Sequence, residues 1–333
     1  MKRPVGQDRD GAAGAGRDTP PVIVVTGPTA CGKSGFAAAL AEDLGGVVVN
    51  GDSMQVYREL RILTARPGPR AEARAPHRLY GVLSGREVCS AGRWRAMAVA
   101  EIEAAHRAGL VPIVVGGTGL YLRALEAGLA PVPQVPDSVR AAARARHAAL
   151  GGAGLHAALA ARDPAMAARL GPTDTQRLIR AWEVLEATGR SLAEWQEMPA
   201  PAGPAPYRFL RVVALPPRPA LYGACDARLC AMIEQGALDE VRALAELGLD
   251  PALPVMKALG VPPFLAHLAG RMSLDEARAR AQRATRNYAK RQMTWLRTQI
   301  PRDDGRAVVL NKQFSESSDQ EIFSIIRRFV LTA

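Results

Sequence analysis

A glycine-rich octapeptide after a short β-branched run constrains the fold more than any other feature of the chain. Residues 27–34 fit the pattern GxxxxGK[ST] in full, and Val22–Val25 precede them. Between a strand and a helix, this pattern forms a loop whose backbone N–H groups and helix N-terminus bind phosphate oxygens. The predicted diphosphate contacts are Gly27, Pro28, Thr29, Ala30, Cys31, Gly32, Lys33 and Ser34. ATP is the default ligand of such a loop, but the motif alone does not distinguish a diphosphate from a triphosphate.

Buried strands and helices alternate after this loop. Further strands are predicted at Val47–Val49 and Val111–Val115, and helices at Phe36–Leu44, Ala96–Ala108 and Leu120–Ala127. This alternation predicts a P-loop-containing, doubly wound parallel α/β sheet. Ligands bind such sheets beyond the carboxyl ends of the strands. The site is therefore expected at the phosphate loop and at the segments after the other two strands.

Two proline-rich breaks, at 131–136 and 199–206, divide the chain. We expect a disordered tail at 1–20, an α/β core at 21–130 and 206–310, a mostly helical insertion at 131–200, and a C-terminal tail at 311–333. After the second break, Arg208–Leu215 is predicted as a returning strand. Helices are predicted at Leu221–Leu247 and Leu274–Ile300 and near Gln320–Val330, in an otherwise weakly patterned region after Pro301.

The composition narrows the class of partner. The net charge is +11 over 333 residues, which favours a polyanionic partner. Codon bias toward Arg and Ala is the alternative cause of this charge. The four cysteines form no CxxC pair, which is typical of reduced thiols. No apolar run approaches membrane-spanning length, so a cytoplasmic monomer without a membrane partner is expected.

The residues at the strand ends disfavour ordinary nucleotide hydrolysis. Nucleotide hydrolases place an Asp at the end of an apolar strand to assist Mg²⁺, whereas the third strand here ends in Gly116-Gly117-Thr118. The acid at a strand end is Asp52, which begins the segment DSMQVY. It could serve as a helix N-cap or, beside a phosphate loop, as a general base.

The segment from Arg278 to Arg302 contains eight cations and no acid. Helical periodicity places Arg283, Arg286, Asn287, Lys290, Thr294 and Arg297 on one face. Ala281, Ala284, Tyr288 and Trp295 fall on the other side, so the aromatic residues are expected to pack inward. A solvated charged face is one interpretation. The lack of acids favours the other, a surface for a phosphate-rich partner.

Six motifs in order resemble the bacterial tRNA dimethylallyltransferases over residues 22–300. They are GPTACGKS (27–34), DSMQVY (52–57), APHRLYG (75–81), VGGTGLYLRAL (115–125), DTQRLIRAWEV (174–184) and ATRNYAKRQMTWLR (284–297). This family transfers the dimethylallyl group of dimethylallyl diphosphate to N6 of the adenosine immediately 3′ of the anticodon. The resemblance implies that the loop binds the prenyl diphosphate with Mg²⁺, to which Ser34 is the ligand.

The resemblance also implies residue roles. Asp52 becomes the base, Thr118 helps to place the adenine, and Arg228 helps to clamp the diphosphate. The anticodon stem-loop of tRNA would be bound by Asp52, Ser53, Met54, Gln55 and Thr118, by Arg140, Gln176, Arg177, Leu178, Ile179 and Arg180 of the insertion, and by Arg283, Arg286, Lys290 and Arg297.

Two other function classes are weighed against this one. A P-loop kinase of a small metabolite would explain the phosphate loop and would need no RNA. A non-catalytic RNA-binding protein would explain the basic helix and leave the loop without a role.

Overall fold

The computed structural model describes residues 19–200, 205–299, 305–314 and 320–332. The strands in these ranges are β1 Pro21–Thr26, β2 Gly46–Asn50, β3 His77–Arg78, β4 Val111–Gly116, β5 Arg208–Ala214 and β6 Ala307–Leu310. They form one sheet in the order β3-β2-β4-β1-β5-β6, and every neighbouring pair is parallel. The predicted parallel α/β sheet is therefore confirmed.

The described ranges also contain thirteen α-helices. In chain order they are α1 Lys33–Leu44, α2 Pro69–Arg74, α3 Ala91–Arg107, α4 Gly119–Ala127, α5 Asp137–Arg162, α6 Pro164–Ala167, α7 Thr175–Thr188, α8 Leu192–Glu197, α9 Arg218–Glu234, α10 Ala237–Glu246, α11 Val261–Leu268, α12 Leu274–Gln299 and α13 Gln320–Leu331. A short 3₁₀ turn spans Val255–Lys257.

Strand β1 lies in the middle of the sheet, with β4 on one side and β5 on the other. Val22–Val25 are fully buried, and Val24 lies in register with Val114 on one side and Arg211 on the other. The chain leaves β1 through α1 and enters β2, with β4 inserted between the two strands. Such reversals of strand order open a crevice at the carboxyl ends of the strands, and the phosphate loop comes directly after β1 at that edge.

The predicted elements differ from the structure in several places, and β3, α2 and α11 were not predicted. One helix over Leu221–Leu247 is wrong: α9 ends at Glu234 and α10 begins at Ala237. The region after Pro301 contains the predicted helix as α13, whose Ile326 is fully buried in the core of the sheet unit. It also contains β6, which was not predicted and which pairs with β5. The strand was missed because four residues carry too little periodicity to be recognised. The predicted tail at 1–18 lies outside the described residues.

The chain divides into two compact units, and the second comprises Ala127–Ala205. It contains α5, which is interrupted at Gly151, together with α6, α7 and α8. Its core includes Leu155, Leu159 and Leu178, all fully buried. The expectation that Leu178 contacts RNA is therefore wrong, because its side chain is enclosed by its own unit.

Two expectations drawn from composition can be compared with the described residues. None of the described helices is long and apolar enough to cross a membrane. All four cysteines lie within the described ranges, and each is a free thiol.

Candidate active site

A cavity of about 360 Å³ lies at the carboxyl ends of β1, β2 and β4. It brings together the phosphate loop, the segment after β2 and residues of α9 and α12. Its lining comprises Thr29, Ala30, Cys31, Gly32, Lys33, Ser34, Gly35, Asp52, Gln55, Thr64, Ala65, Val115, Gly116, Ala224, Arg228 and Gln292. Residues predicted from three separate motifs thus share one enclosure.

The phosphate loop has the backbone that its glycines predict. Gly32 has φ of 87° and immediately precedes the first turn of α1, a left-handed conformation that a side chain disfavours. Lys33 begins the helix, and its Nζ donates to the carbonyls of Gly27 at 2.9 Å and Pro28 at 2.7 Å. The lysine charge is therefore held over the loop. Cys31 is buried, so its contribution to anion binding would come from its backbone.

Thr29 is held in the loop by two residues from remote helices. Its N–H donates to Gln292 Oε1 at 2.8 Å, and its hydroxyl accepts from Arg228 Nη2 at 2.9 Å. Desolvation lowers the pKa of the Arg228 guanidinium, which means that its charge is poorly compensated in this position. A bound anion would supply that compensation.

Asp52 sits in a tight turn after β2. Its N–H donates to Asn50 Oδ1 at 2.8 Å, and its own Oδ1 accepts from the Met54 N–H at 2.9 Å. No described helix begins at this turn, since the next one starts at Pro69. The helix N-cap interpretation is therefore wrong. Among the described residues, the other carboxylate oxygen accepts no hydrogen bond, so it can accept a proton or a donor from a ligand.

The turn at Asp52 is joined to the segment after β4. Thr118 Oγ1 accepts from the Ser53 N–H at 3.0 Å and lies 3.3 Å from Ser53 Oγ. The two backbones can meet because Gly116 has no side chain: a Cβ there would lie 2.1 Å from the Gly51 carbonyl oxygen. Gln55 comes after the same turn, and its Nε2 donates to the Thr64 carbonyl at 2.7 Å. Two of the predicted tRNA contacts, Ser53 and Thr118, are therefore joined directly.

Gln292 is the main site residue that the sequence analysis missed. It is buried on α12 and donates through Nε2 to the Gly117 carbonyl at 2.8 Å, while Oε1 holds Thr29. Gln292 was overlooked because it lies within a run of cations, which drew attention to the charged face of α12. The buried positions of α12 include Ala281, Thr285, Ala289, Gln292 and Leu296, and this spacing in the sequence could have revealed an inward-facing amide.

The cations of α12 fall into two groups. Arg283, Lys290 and Arg297 are exposed and form no ion pair with any other residue in the described ranges. Arg286 instead contacts both carboxylate oxygens of Asp226, at 2.6 and 2.7 Å. The exposed cations suit a phosphate-rich partner, whereas Arg286 already has an anionic partner.

The remaining predicted RNA contacts lie in the Ala127–Ala205 unit. Gln176 and Arg177 are exposed on α7, while Ile179 and Arg180 are half-buried. Arg180 Nη1 lies 3.3 Å from a carboxylate oxygen of Glu183. Arg140 lies on α5 and is half-buried, with Nη1 3.7 Å from Asp137.

Comparison with known sequences identifies relatives of this architecture. A family model described as IPP transferase matches residues 55–299, a range that begins after the phosphate loop and Asp52. A tRNA dimethylallyltransferase of Rhodospirillum centenum is 62% identical over 282 residues, covering 85% of this chain and 90% of that protein. One of Rhodospirillum rubrum is 55% identical over 312 residues, covering 94% of this chain and 96% of that protein.

Solved structures agree with these matches. A tRNA isopentenylpyrophosphate transferase of Staphylococcus epidermidis superimposes with a TM-score of 0.66 at 29% identity. The match covers 94% of this chain and 100% of that one. A eukaryotic dimethylallyltransferase acting on tRNA superimposes with a TM-score of 0.77 at 27% identity, covering 94% and 80%. The chain therefore belongs to the IPP transferase family of tRNA-modifying prenyltransferases.

Proposed function

We propose that this protein transfers the dimethylallyl group of dimethylallyl diphosphate to N6 of the adenosine immediately 3′ of the anticodon of tRNA, with release of diphosphate. One observation carries the proposal: the phosphate loop, Arg228 and Asp52 line a single cavity. A phosphate-binding loop and a carboxylate in the same cavity suit a reaction in which diphosphate leaves while a proton is removed.

The leaving group gains negative charge as the bond to the allylic carbon breaks. Lys33 and Arg228 bring two cations to the cavity, and the N–H groups at the start of α1 add donors. Groups already oriented toward developing charge stabilise it without reorganisation. The loop therefore holds a departing diphosphate rather than positioning water for ATP hydrolysis.

The attacking amine is a poor nucleophile because its lone pair is delocalised into the adenine ring. Asp52 is the general base that accepts its proton as the N–C bond forms. The Met54 N–H donates to the carboxylate, and Asn50 Oδ1 accepts from the backbone N–H of Asp52. Thr118, joined to Ser53, helps to place the adenine.

The site suits a Mg²⁺ ion whose ligands would come mainly from the diphosphate and less from protein side chains. No three His, Cys, Asp or Glu side chains within the described ranges cluster as metal ligands, while the exposed Ser34 lines the cavity. Mg²⁺ commonly keeps several waters and binds phosphate oxygens with one or two protein ligands. Ser34 would hold the ion, which would neutralise charge on the diphosphate when bound.

The RNA partner is the anticodon stem-loop. The exposed cations Arg283, Lys290 and Arg297 would contact its phosphates, and Gln176, Arg177 and Arg180 would contribute from the helical unit. The target base must leave the stack to reach an enclosed carbon. We further propose that the protein acts as a cytoplasmic monomer.

One assay separates the candidate functions. The protein is incubated with Mg²⁺, labelled dimethylallyl diphosphate and unmodified tRNA, and label is expected in the RNA. A tRNA with guanosine in place of the target adenosine is the matched control and should stay unlabelled. Phosphoryl transfer from ATP without RNA would indicate a kinase, and tRNA binding without label would indicate a non-catalytic RNA-binding protein.

A further inference from the structure

Four carbonyls of the phosphate loop accept hydrogen bonds from side chains or from a distant part of the backbone. Lys33 satisfies two of them. The next part of the loop is contacted by residues that lie far away in the sequence. The Cys31 carbonyl accepts the N–H of Phe314 at 2.9 Å, and Gln313 Nε2 lies 3.5 Å from the Ala30 carbonyl oxygen.

Phe314 also packs on the helix that the loop begins. Its side chain is buried, with 6% exposed, and its ring stacks on Phe36 with centroids 4.6 Å apart. Its carbonyl covers Gly32, where a Cβ would lie only 2.6 Å from the Phe314 oxygen. The backbone and side chain of Phe314 thus contact three consecutive parts of the phosphate-binding element: Cys31, Gly32 and α1.

The segment that carries Phe314 is attached to the same frame as the loop. Strand β6 pairs with β5, and the Leu215 N–H donates to the Leu310 carbonyl at 2.7 Å. After Phe314, helix α13 places Ile322 and Ile326 in the core that contains β1 and α1. Phe314 itself belongs to the same core.

The loop needs such a support because one of its residues is strained. Ala30 has φ of 64°, a left-handed conformation that residues with a side chain rarely adopt. Strained backbone persists where neighbouring contacts over-determine it. The contacts from Gln313 and Phe314 fall on Ala30 and on Cys31 directly after it.

We propose that Phe314 is a positioning residue for the phosphate loop, holding it in the conformation that binds the prenyl diphosphate. The identity of that ligand rests on the proposed function. Phe314 acts through Cys31, Gly32 and Phe36 and does not line the cavity itself. The family match ends at residue 299, so this support lies beyond the matched range.

The test replaces Phe314 by leucine, which keeps the backbone N–H and removes the ring. Phe314→Leu is expected to raise the Kd for inorganic diphosphate, measured calorimetrically with Mg²⁺, by about three- to tenfold, the loss of one aromatic pair. The KM for dimethylallyl diphosphate should rise by the same factor. The KM for tRNA and the kcat at saturating donor should stay at wild-type values.

Phe264→Leu is the matched control, because Phe264 is fully buried on α11 and does not line the cavity. It should lower Tm without changing the Kd for diphosphate. Gln313→Ala removes a contact and leaves the core intact, so it provides a second variant in case Phe314→Leu does not fold. It should weaken diphosphate binding by about twofold, as expected for a single weak hydrogen bond.

Wild-type diphosphate affinity in every folded variant of Phe314 and Gln313 would overturn the inference. A wild-type protein that binds diphosphate but transfers no prenyl group would refute the proposed function instead, because diphosphate binding is a separate readout.

Discussion

Gln292 accepts a 2.8 Å hydrogen bond from the N–H of Thr29, although 263 positions separate the two residues in the chain. The same amide donates to the Gly117 carbonyl. One buried side chain on α12 therefore ties the phosphate loop to the segment that carries Thr118. Under the proposed mechanism, this contact would couple the binding of the leaving diphosphate to the placement of the adenine.

Replacing Gln292 by leucine should loosen both segments. The change leaves Thr29 N–H and Gly117 O without a partner, and an unsatisfied buried group costs about 1–3 kcal/mol. The free energy of unfolding in urea and kcat/KM for prenyl transfer should both fall. Gln282→Leu on the same helix is the control, since the Gln282 amide contacts are long, at 3.4 and 3.8 Å. Equal losses in the two variants would show that the bridge has no special role.

Asp52→Asn should slow the chemical step while leaving the turn intact. The amide oxygen can still accept from Met54, but the group cannot take up a proton. Loss of a general base reduces rates by about 10²- to 10⁴-fold. Single-turnover prenylation is the measurement. Asp250→Asn is the control with wild-type rate, because Asp250 is exposed and its Oδ1 accepts from the Ala252 N–H in a similar turn. An unchanged rate in Asp52→Asn would remove Asp52 from the base role.

Arg228→Lys should weaken diphosphate binding even though the charge is retained. Lysine cannot reproduce the planar guanidinium that contacts Thr29 Oγ1. Hydrogen bonds to charged groups contribute about 1.5–3 kcal/mol, so the Kd for diphosphate should rise by roughly 10- to 100-fold. Arg218→Lys, at the exposed start of the same helix, is the control and should bind diphosphate with wild-type affinity. Wild-type affinity in Arg228→Lys would show that Arg228 has no part in the site.

The exposed cations of α12 should govern the salt dependence of tRNA binding. Lys290→Ala and Arg297→Ala should each weaken binding, and each lost phosphate contact should reduce the slope of log K against log salt by about 0.7–0.9. Diphosphate affinity should not change. Arg242→Ala, an exposed cation on α10 that pairs with Asp239, is the control. Slopes identical to wild type would place the RNA elsewhere.

Alkaline pH should destabilise the protein through buried tyrosine. Burial, and then the side-chain interaction with Cys89, raise the pKa of Tyr121 far above its ordinary value of 10.0. As pH rises through the unfolded-state pKa, the unfolded chain loses this proton and the native state keeps it. Stability therefore falls above pH of about 10. Tm measured from pH 8 to 11 should fall less steeply in Tyr121→Phe than in wild type.

Local patterns in the sequence were sufficient for the phosphate loop and for the central strands. The GxxxxGK[ST] pattern requires a specific backbone within eight residues, and β-branched runs such as Val22–Val25 indicate a strand buried on both faces. Asp52 and Thr118 were placed at strand ends for the same reason. The topology of a parallel sheet then brings strand ends to one edge.

Tertiary packing decided everything that depends on residues distant in the chain. Leu178 is buried in a core, and Arg286 pairs with Asp226, 60 positions away. Neither contact could be predicted, because a helix face alone does not reveal what will pack against it. Gln292 and Phe314 reached the phosphate loop only when α12 and the segment after β6 packed onto the sheet. The sequence by itself determined the position and the backbone of the predicted phosphate loop. The fold decided which residues hold that loop, because such contacts carry no local sequence pattern.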